Sequence, residues 1–541
     1  MYINLKDDTL CITFPYAKSV IDALRTIPGR VFNPKLKRWE VPAENGIECL
    51  RVLEPLGFNV HLDVKRRVEA LKKEIEESEE LKINPSVPYS GSLPLYDFQK
   101  IGAAFLKARS SSLLADVPGL GKTIQTIAAL EDEKRVLILC PASLKFSWLA
   151  EIEKWEPETN VLVIDGDKEK RVHAWKTEGF KYYVANYELL LHDFDEMPKE
   201  WDVIVADEAT RVSNPSAKTT KFLKQLQTKK KIALTGTPIS NSPNDLYSII
   251  DWLSPRFLGT YYQFLSRYCI TDARYPSMIL GYQNLSELKW RVSRFILRRT
   301  KEEVFTDFPP KTISNIVFDL SEEERELYDN IRNLIWEELE ALTITKQSLA
   351  TIPVKMLRLK QATDHPALIS DLKKSSKMKT LQELLQGIVE SEEKVIVFTQ
   401  FAEMAKKIYD DTSGSLLIYG DVPAEKRQQI VNIFNSEPFY KVLVMTEAGT
   451  YGLNLQVASY VIHYDSPWSV AKLIQREDRA HRIGQTKPVT VYNLIARKTI
   501  DEYVMKKLHK KQKLAVELLQ DVERLEAQGI DEEDIKSILR I

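Results

Sequence analysis

The sequence predicts an α/β protein with two lobes built on parallel sheets, helical insertions and a small α+β module at the N-terminus. Two series of apolar, strand-like segments alternate with helical stretches, one between residues 93 and 297 and the other between 395 and 492. This alternation is typical of parallel sheets covered by helices. At 541 residues the chain is too long for one hydrophobic core, and its length predicts roughly three to four structural units.

Residues 1–62 predict the N-terminal module. The segments are a strand at 10–14, a helix at 19–26, hairpin strands at 30–32 and 39–41, a helix at 46–56 and a strand at 58–62, in the order β-α-β-β-α-β. A charged helix and a proline-broken linker, with the break at 84–88, fill residues 63–92. Because the pattern is self-contained, we expect the module to be removable without unfolding the rest of the chain.

The remaining sequence predicts two lobes with helical segments between and after them. The predicted boundaries are a first lobe at 93–305, a helical insertion or bridge at 306–375, a second lobe at 376–500 and a C-terminal helical extension at 501–541. The predicted strands lie at 136–139, 161–164, 182–185, 203–206 and 232–234 in the first lobe, and at 395–398, 442–445, 461–463 and 489–492 in the second.

Composition excludes several classes of protein. The 76 lysines and arginines nearly balance 77 aspartates and glutamates, so the net charge of −1 does not by itself point to a polyanion partner, and any nucleic-acid surface must be local. No apolar run is long enough for a bilayer and no secretory signal precedes the first strand. The cysteines are too widely spaced for disulfides or zinc; they are Cys11, Cys49, Cys140 and Cys269. We expect an intracellular protein without membrane contact.

Residues 116–123, Asp-Val-Pro-Gly-Leu-Gly-Lys-Thr, join an apolar run to a helix-compatible one and predict a phosphate-binding loop. Gly119 and Gly121 let the backbone curl, Lys122 can reach the β- and γ-oxygens of a nucleoside triphosphate, and Thr123 can ligate Mg²⁺. The usual spacing has glycine where Asp116 stands, so a plain glycine-rich turn is the alternative for these eight residues alone.

Two carboxylates follow the apolar segment 203–206. We expect Asp207 to hold Mg²⁺ through water and Glu208 to orient and deprotonate an attacking water. In isolation such a pair is also a common helix cap. A hydroxyl-rich turn at 235–238 follows the next strand and could sense a γ-phosphate.

The second lobe carries its own group of charged residues at 475–485. Asp478 and Arg482 are four residues apart and would lie on one face of a helix, and Arg479 is the residue directly after Asp478. Permanently charged, planar arginines are suited to stabilising a γ-phosphate held by another lobe. A surface helix rich in ion pairs is the alternative.

These motifs form an ordered series with six others. The others lie at 95–102, 141–144, 186–188, 234–241, 295–301 and 397–401, with a further glycine-rich stretch at 446–455. Over about residues 93–508 the chain resembles the Swi/Snf-type ATPases, the DNA-translocating branch of the superfamily-two helicases with two RecA-like lobes. The resemblance implies ATP and Mg²⁺ as cofactors and duplex or forked DNA, without sequence preference, as partner; no protein partner is identified.

The resemblance also implies roles for individual residues. Beyond the catalytic Lys122, Asp207, Glu208, Arg479 and Arg482, nucleotide contacts are implied for Gln99, Gly119, Leu120, Gly121, Thr123, Ile124, Gly452 and Asp478. DNA contacts are implied for Ser143, Tyr187, Asn241, Arg298, Arg299, Gln400, Thr446 and Asn454.

Two positions depart from the family pattern. Val117-Pro118 replaces the usual Glu-Met, and Thr210 replaces the histidine that usually ends the acidic motif. Lys122, Asp207 and Glu208 are intact, so hydrolysis is implied, whereas the histidine's part in coupling nucleotide to DNA is missing.

The N-terminal module has a second resemblance. Segments 14–16, 27–32 and 37–42 look like the HARP domain of annealing helicases, which rewind separated strands and remodel forks. This implies strand annealing or fork remodelling. The alternatives are a packing module with Phe32 and Trp39 in its core, a remodeller that displaces nucleosomes or polymerases with the same motor, and a non-catalytic DNA-binding scaffold.

Overall fold

The computed structural model describes residues 1–83, 93–236, 243–271, 279–305, 307–341, 346–447, 453–519 and 524–526. Contacts divide the chain into two compact units, the first mainly Met1–Val117 with Gly121–Thr300 and the second mainly Lys301–Leu514. The predicted linker break and the motif residues Asn241 and Gly452 lie outside the described residues. Among the helices of the described ranges, none has the length and apolar character needed to cross a membrane.

The N-terminal module is a five-stranded sheet covered by helices. Its elements are β1 (Tyr2–Lys6), β2 (Thr9–Thr13), α1 (Lys18–Leu24), β3 (Val31–Asn33), β4 (Arg38–Pro42), α2 (Gly46–Leu53), β5 (Asn59–Val60) and α3 (Leu62–Ile83). The strand order is β3-β4-β2-β1-β5, and only β1 and β5 pair in parallel. The sequence analysis did not predict β1, in which Ile3 is the only fully buried residue.

The module is fixed to the rest of the first unit by buried ion pairs. Arg291 donates to the Glu48 carboxylate at 2.6 Å and Arg294 donates to Glu44, although these arginines are only 5% and 7% exposed. The side-chain amide of Asn45 donates to the Phe257 carbonyl at 3.1 Å. Removal of the module without unfolding the rest of the chain stays a prediction, and these contacts argue against it, because deletion would take away the carboxylates that pair with Arg291 and Arg294.

The first lobe is a seven-stranded, fully parallel sheet in the order β14-β6-β11-β10-β7-β9-β8. Its elements are α4 (Asp97–Lys107), β6 (Ser111–Leu114), α5 (Lys122–Ala129), β7 (Val136–Cys140), α6 (Lys145–Trp155), β8 (Val161–Val163), α7 (Lys168–Lys176), β9 (Tyr182–Asn186), α8 (Leu189–His192), β10 (Glu200–Asp207), α9 (Lys218–Leu223), β11 (Gln227–Leu234), α10 (Pro243–Leu253), α11 (Tyr261–Tyr268), β12 (Cys269–Thr271), β13 (Ile279–Gln283), α12 (Leu285–Val292) and β14 (Ile296–Leu297).

The second lobe is a six-stranded parallel sheet in the order β15-β20-β19-β16-β18-β17. Its elements are α13 (Lys301–Val304), β15 (Lys311–Phe318), α14 (Glu322–Ala341), α15 (Lys346–Asp364), α16 (Ser376–Glu390), β16 (Val395–Thr399), α17 (Ala402–Asp410), β17 (Ser415–Ile418), α18 (Ala424–Ser436), β18 (Val442–Thr446), β19 (Tyr460–His463), α19 (Val470–Glu477), β20 (Val489–Ala496) and α20 (Ile500–Leu519). A last strand, β21 (Arg524–Glu526), pairs with β13.

The predicted α/β class with two parallel-sheet, RecA-like lobes is confirmed. The predicted bridge at 306–375 is not helical throughout. Its residues Lys311–Phe318 form β15, an edge strand of the second sheet. Its Ile313 and Val317 are exposed, so the strand has no continuous apolar run.

Strand register brings the predicted motifs of the first lobe to one sheet edge. Leu114 at the end of β6 pairs with Leu234 at the end of β11, which pairs with Asp207 at the end of β10. The loop after β6, the turn after β11 and the acidic pair after β10 therefore leave the sheet at the same level, where parallel α/β sheets bind ligands.

Candidate active site

The loop after β6 has the backbone geometry of a phosphate cradle. Gly119 and Gly121 have φ values of +90° and +75°, in the left-handed region that favours glycine. A Cβ on Gly121 would lie 2.6 Å from the side-chain nitrogen of Gln99, so a larger residue would have to displace the Gln99 side chain. Lys122 begins α5, and its ammonium donates to the Asp116 carbonyl at 2.8 Å. The ammonium is thus held at the loop itself.

Asp116, which stands where the usual loop has glycine, is a structural carboxylate. It is fully buried and accepts two hydrogen bonds from Arg299, at 2.6 and 3.1 Å, and one from Gln125 at 3.2 Å. Arg299 also donates to the Phe98 carbonyl. This network ties the start of the loop to α4, α5 and the end of β14.

The same network corrects one prediction. Arg299 was expected to contact DNA, but its side chain is 8% exposed and its guanidinium is occupied by Asp116, Gln125 and Phe98. Arg298, the preceding residue, is partly exposed.

Gln99 lies beside the phosphate loop. Its side-chain oxygen accepts the backbone N–H of Tyr96 at 3.1 Å and so caps the N-terminus of α4. The side chain is buried against Gly121. A nucleotide contact by Gln99 therefore stays a prediction. The side chains of Leu120 and Ile124 are buried, which restricts their predicted nucleotide contacts to the backbone.

The acidic pair at the end of β10 is held by three hydrogen bonds. The Asp207 carboxylate accepts the Trp148 indole N–H and the backbone N–H of Glu208, both at 2.9 Å. The Tyr187 hydroxyl donates to the Asp207 carbonyl at 2.8 Å. Burial raises the pKa of Asp207, opposed by the Trp148 hydrogen bond and by the charge of Lys122. Lys122 therefore acts electrostatically on this carboxylate.

Glu208 has an unusual backbone conformation. Its φ is +50° and its ψ is 54°, in the left-handed region, where a non-glycine residue costs roughly 1–3 kcal/mol. Thr210 follows in the short 3-10 helix Ala209–Val212. Strain of this kind is typical of functional positions, and here it directs the one carboxylate predicted to activate water.

The residues predicted to hold Mg²⁺ fit that ion. Thr123 and Asp207 offer oxygen ligands, which Mg²⁺ prefers, and both lie at the sheet edge beside Lys122. Within the described ranges no group of three or more His, Cys, Asp or Glu side chains forms a metal cage. A partial set of protein ligands is usual for Mg²⁺, because waters and substrate phosphates complete its coordination.

In the second unit, Arg479 and Arg482 follow α19 and remain partly exposed. Both guanidinium groups approach the Leu453 carbonyl, at 3.4 and 3.5 Å, so the two side chains lie on the same side of this turn. These hydrogen bonds are long and therefore weak.

Asp478 has a structural role in this unit. It was predicted to contact nucleotide, but it is 5% exposed and forms a buried ion pair with Lys301. Lys301 also donates to the His481 carbonyl, and the His481 ring lies 2.8 Å from the Pro309 carbonyl. Burial lowers the pKa of His481 to about 4, so its ring is neutral. The sequence analysis assigned no role to Lys301 or His481, because their partners lie far away in the chain.

The residues predicted to contact DNA divide into two groups. Ser143, Arg298, Gln400 and Asn454 are partly or fully exposed. Tyr187, Arg299 and Thr446 are buried. Burial contradicts a direct DNA contact by the second group, and Tyr187 instead supports Asp207.

Two family models match the chain. One is the SNF2-related domain, over residues 56–368, and the other is the Helicase conserved C-terminal domain, over residues 376–484. Similar solved structures include the Sulfolobus solfataricus SWI2/SNF2 ATPase core in complex with dsDNA, with 30% identity and a TM-score of 0.40, covering 84% of this chain and 99% of that one.

Curated relatives are longer than this chain. An uncharacterized ATP-dependent helicase of Mycoplasma genitalium is 32% identical, over 79% of this chain and 42% of the relative. A putative ATP-dependent helicase/translocase of Bacillus subtilis is 29% identical, over 90% of this chain and 56% of the relative. The human SWI/SNF-related matrix-associated actin-dependent regulator of chromatin subfamily A member 1 is 30% identical, over 80% of this chain and 44% of the relative. The chain thus spans about half the length of these relatives.

Proposed function

The chain belongs to the SNF2-related family, and from that premise we propose that it is a DNA-dependent ATPase that moves along duplex DNA. The observation that carries the proposal is the single sheet edge at which the phosphate loop with Lys122 follows β6 and the Asp207–Glu208 pair follows β10, with β11 in register between them. The Mycoplasma relative, an uncharacterized ATP-dependent helicase, and the Bacillus relative, a putative helicase/translocase, support the same function.

Hydrolysis would use residues of the first lobe. Lys122 and the loop amides bind the β- and γ-phosphates, and Thr123 with Asp207 would hold Mg²⁺. Mg²⁺ bound there would neutralise charge on the phosphate oxygens. Glu208, held by its strained backbone, orients the attacking water and takes its proton. From the second lobe, Arg479 and Arg482 would supply positive charge to the γ-phosphate in the transition state.

DNA binding would rest on backbone contacts by the exposed motif residues. Ser143, Arg298, Gln400 and Asn454 offer hydroxyl, guanidinium and amide groups that can bind phosphates. Contacts of this kind carry no sequence information. We therefore expect binding that tolerates any sequence and weakens with salt.

The finer proposal is strand annealing or fork remodelling, with the β3–β4 hairpin as the element that contacts unpaired DNA. Phe32 is 47% exposed and its ring centroid lies 5.3 Å from that of Trp39. The hairpin turn exposes Lys35 and Lys37. An accessible aromatic beside cations suits unpaired bases and their phosphates. A remodeller that displaces protein from DNA is the second candidate, favoured by the likeness to the human chromatin regulator.

Phosphate release with single-stranded, duplex and forked DNA tests the ATPase. We expect duplex or forked DNA to stimulate turnover, K122A to lower it by orders of magnitude, and E208Q to do the same while still binding ATP. Turnover near wild type in either variant would contradict the assigned roles, and a chain that binds DNA without hydrolysis would be the non-catalytic scaffold.

The annealing proposal needs a variant that keeps the module folded, since deletion would also remove the carboxylates that pair with Arg291 and Arg294. F32A removes an exposed ring, and we expect it to lower the rate of strand annealing with little change in duplex-stimulated ATPase. F439A, which removes a side chain 73% exposed in the second unit, is the matched control. Equal annealing by F32A and wild type would leave the hairpin without a role in DNA binding and would favour the protein-displacing remodeller.

A further inference from the structure

We propose that Trp148 and Tyr187 are positioning residues that transmit DNA contact to the hydrolytic Asp207–Glu208 pair. This inference rests on the proposed DNA-dependent ATPase activity. Its basis is that two surface motifs, 141–144 with the partly exposed Ser143 and 186–188 with the exposed Glu188, each adjoin or contain one buried aromatic donor to the same residue, Asp207.

Trp148 connects the first of these motifs to the carboxylate. The motif includes the 3-10 helix Ala142–Leu144, which contains Ser143, and α6 continues directly from it. Trp148 lies in the first turn of α6, is 2% exposed, and donates its only hydrogen-bonding group to Asp207 at 2.9 Å. A rigid helical turn thus separates a candidate DNA contact from the group that orients the carboxylate.

Tyr187 connects the second motif to the backbone of the same residue. It follows Asn186, the last residue of β9, and is 3% exposed. Its hydroxyl donates to the Asp207 carbonyl at 2.8 Å. Burial raises the pKa of Tyr187 well above its usual value, so the hydroxyl stays a neutral donor.

Together the two donors fix both polar parts of Asp207. Trp148 holds the carboxylate, and Tyr187 holds the carbonyl of the peptide that joins Asp207 to Glu208. The orientation of that peptide plane helps to set the direction of Glu208, which is already strained at φ +50°. A shift of either DNA motif would therefore reach the general base through a single hydrogen bond.

The variants W148F and Y187F each remove one donor and keep the ring. The first lobe offers matched controls with hydrogen bonds that do not reach Asp207. Trp175 is 2% exposed, and its indole N–H donates to the Asp193 carboxylate at 3.2 Å. Tyr183 lies on β9, and its hydroxyl donates to the Thr177 carbonyl at 2.8 Å. W175F and Y183F therefore lose equivalent hydrogen bonds elsewhere in the lobe.

The measurements are basal and duplex-stimulated turnover, and the affinity of a fluorescent ATP analogue with and without duplex DNA. We expect the ratio of stimulated to basal turnover to fall about tenfold in W148F and about threefold in Y187F, because a bond to a charged acceptor is the stronger one. The effect of DNA on analogue affinity should shrink in parallel, since binding linkage is reciprocal. Analogue affinity without DNA, DNA affinity without nucleotide and the thermal unfolding midpoint should match those of W175F and Y183F.

Each other outcome has a definite meaning. Equal loss of basal and stimulated turnover would make the two residues static supports and overturn the coupling. A wild-type ratio in both variants would overturn the inference and leave the proposed function in place. A wild-type protein that hydrolyses ATP without stimulation by DNA would overturn the proposed function and the coupling together.

Discussion

Arg298 and Arg299 are adjacent in the chain but differ in environment. Arg299 donates to Asp116, Gln125 and Phe98 inside the first lobe, whereas Arg298 is partly exposed. A sequence pattern alone treats the two as one basic pair. Their burial separates a structural ion pair from a candidate phosphate contact.

Substitution of each arginine should therefore give opposite results. We expect R299A to lower the free energy of unfolding of the first lobe by about 3–5 kcal/mol, because Asp116 would be left buried without its partner. We expect R298A to keep that stability and to weaken DNA binding. Urea unfolding and DNA titration on both variants check this, and a DNA defect in R299A without loss of stability would restore the original prediction.

Arg479 and Arg482 allow a second test at this scale. Both side chains are partly exposed, and their hydrogen bonds to the Gln475 and Leu453 carbonyls are long. We expect R479A or R482A to lower turnover roughly 10³-fold with little change in DNA affinity, because an arginine stabilises charge only in the transition state. Lysine should not restore activity, because it lacks the planar fork. Hydrolysis by R482A without DNA binding would make this residue a DNA contact.

At the scale of elements, the sequence predicted the fully buried strands well and missed two strands with little full burial. The apolar segment at 203–206 lies within β10, and its burial is almost complete. Only one residue of β1 and none of β15 is fully buried, so tertiary pairing contributes more to these strands than a buried apolar run does. The same limit applies to the site. Its motifs could be placed, but the pairs Asp116–Arg299, Trp148–Asp207 and Lys301–Asp478 join residues 183, 59 and 177 positions apart.

One buried ionic cluster joins three helices of the second lobe. Lys377 on α16 donates to Asp364 at the end of α15 and to Asp501 at the start of α20, each at 2.8 Å. Lys360 and Asp465 also act on this cluster electrostatically. Burial raises the pKa of Asp364 to about 7, and one of its carboxylate oxygens accepts no hydrogen bond.

The raised pKa of Asp364 predicts a pH-dependent contribution to stability. Because the folded value exceeds the ordinary one near 3.8, the contribution is present below about pH 4 and is lost as the pH rises through about 7. D364N is neutral at every pH and should remove this loss. We expect its free energy of unfolding, relative to wild type, to rise by roughly 2–4 kcal/mol between pH 4 and 8.

The variant must be compared with wild type because a histidine with a lowered pKa adds stability as the pH rises, whereas Asp364 removes it. The pKa of His365 is lowered to about 4 by burial, so its contribution grows as the pH rises from about 4 to 6.5. Urea unfolding of both proteins across this range gives the difference directly. K377M is the reference for loss of the cluster, with an expected cost of about 3–5 kcal/mol. A constant difference between D364N and wild type would show that Asp364 is ionised throughout.

For the whole molecule, the net charge of −1 means that no overall field attracts DNA. Affinity must come from local groups such as Arg298 near the sheet edge that carries the site. We expect affinity for duplex DNA to fall about tenfold or more between 50 and 200 mM salt, and duplexes of equal length and different sequence to bind alike.

R298A should reduce the slope of log affinity against log salt by about 1. K229A is the matched control, because Lys229 is 86% exposed but lies near the N-terminal end of β11, away from the edge with the site. Equal slopes for R298A and K229A, or affinity that follows DNA sequence, would place the DNA surface elsewhere on the molecule.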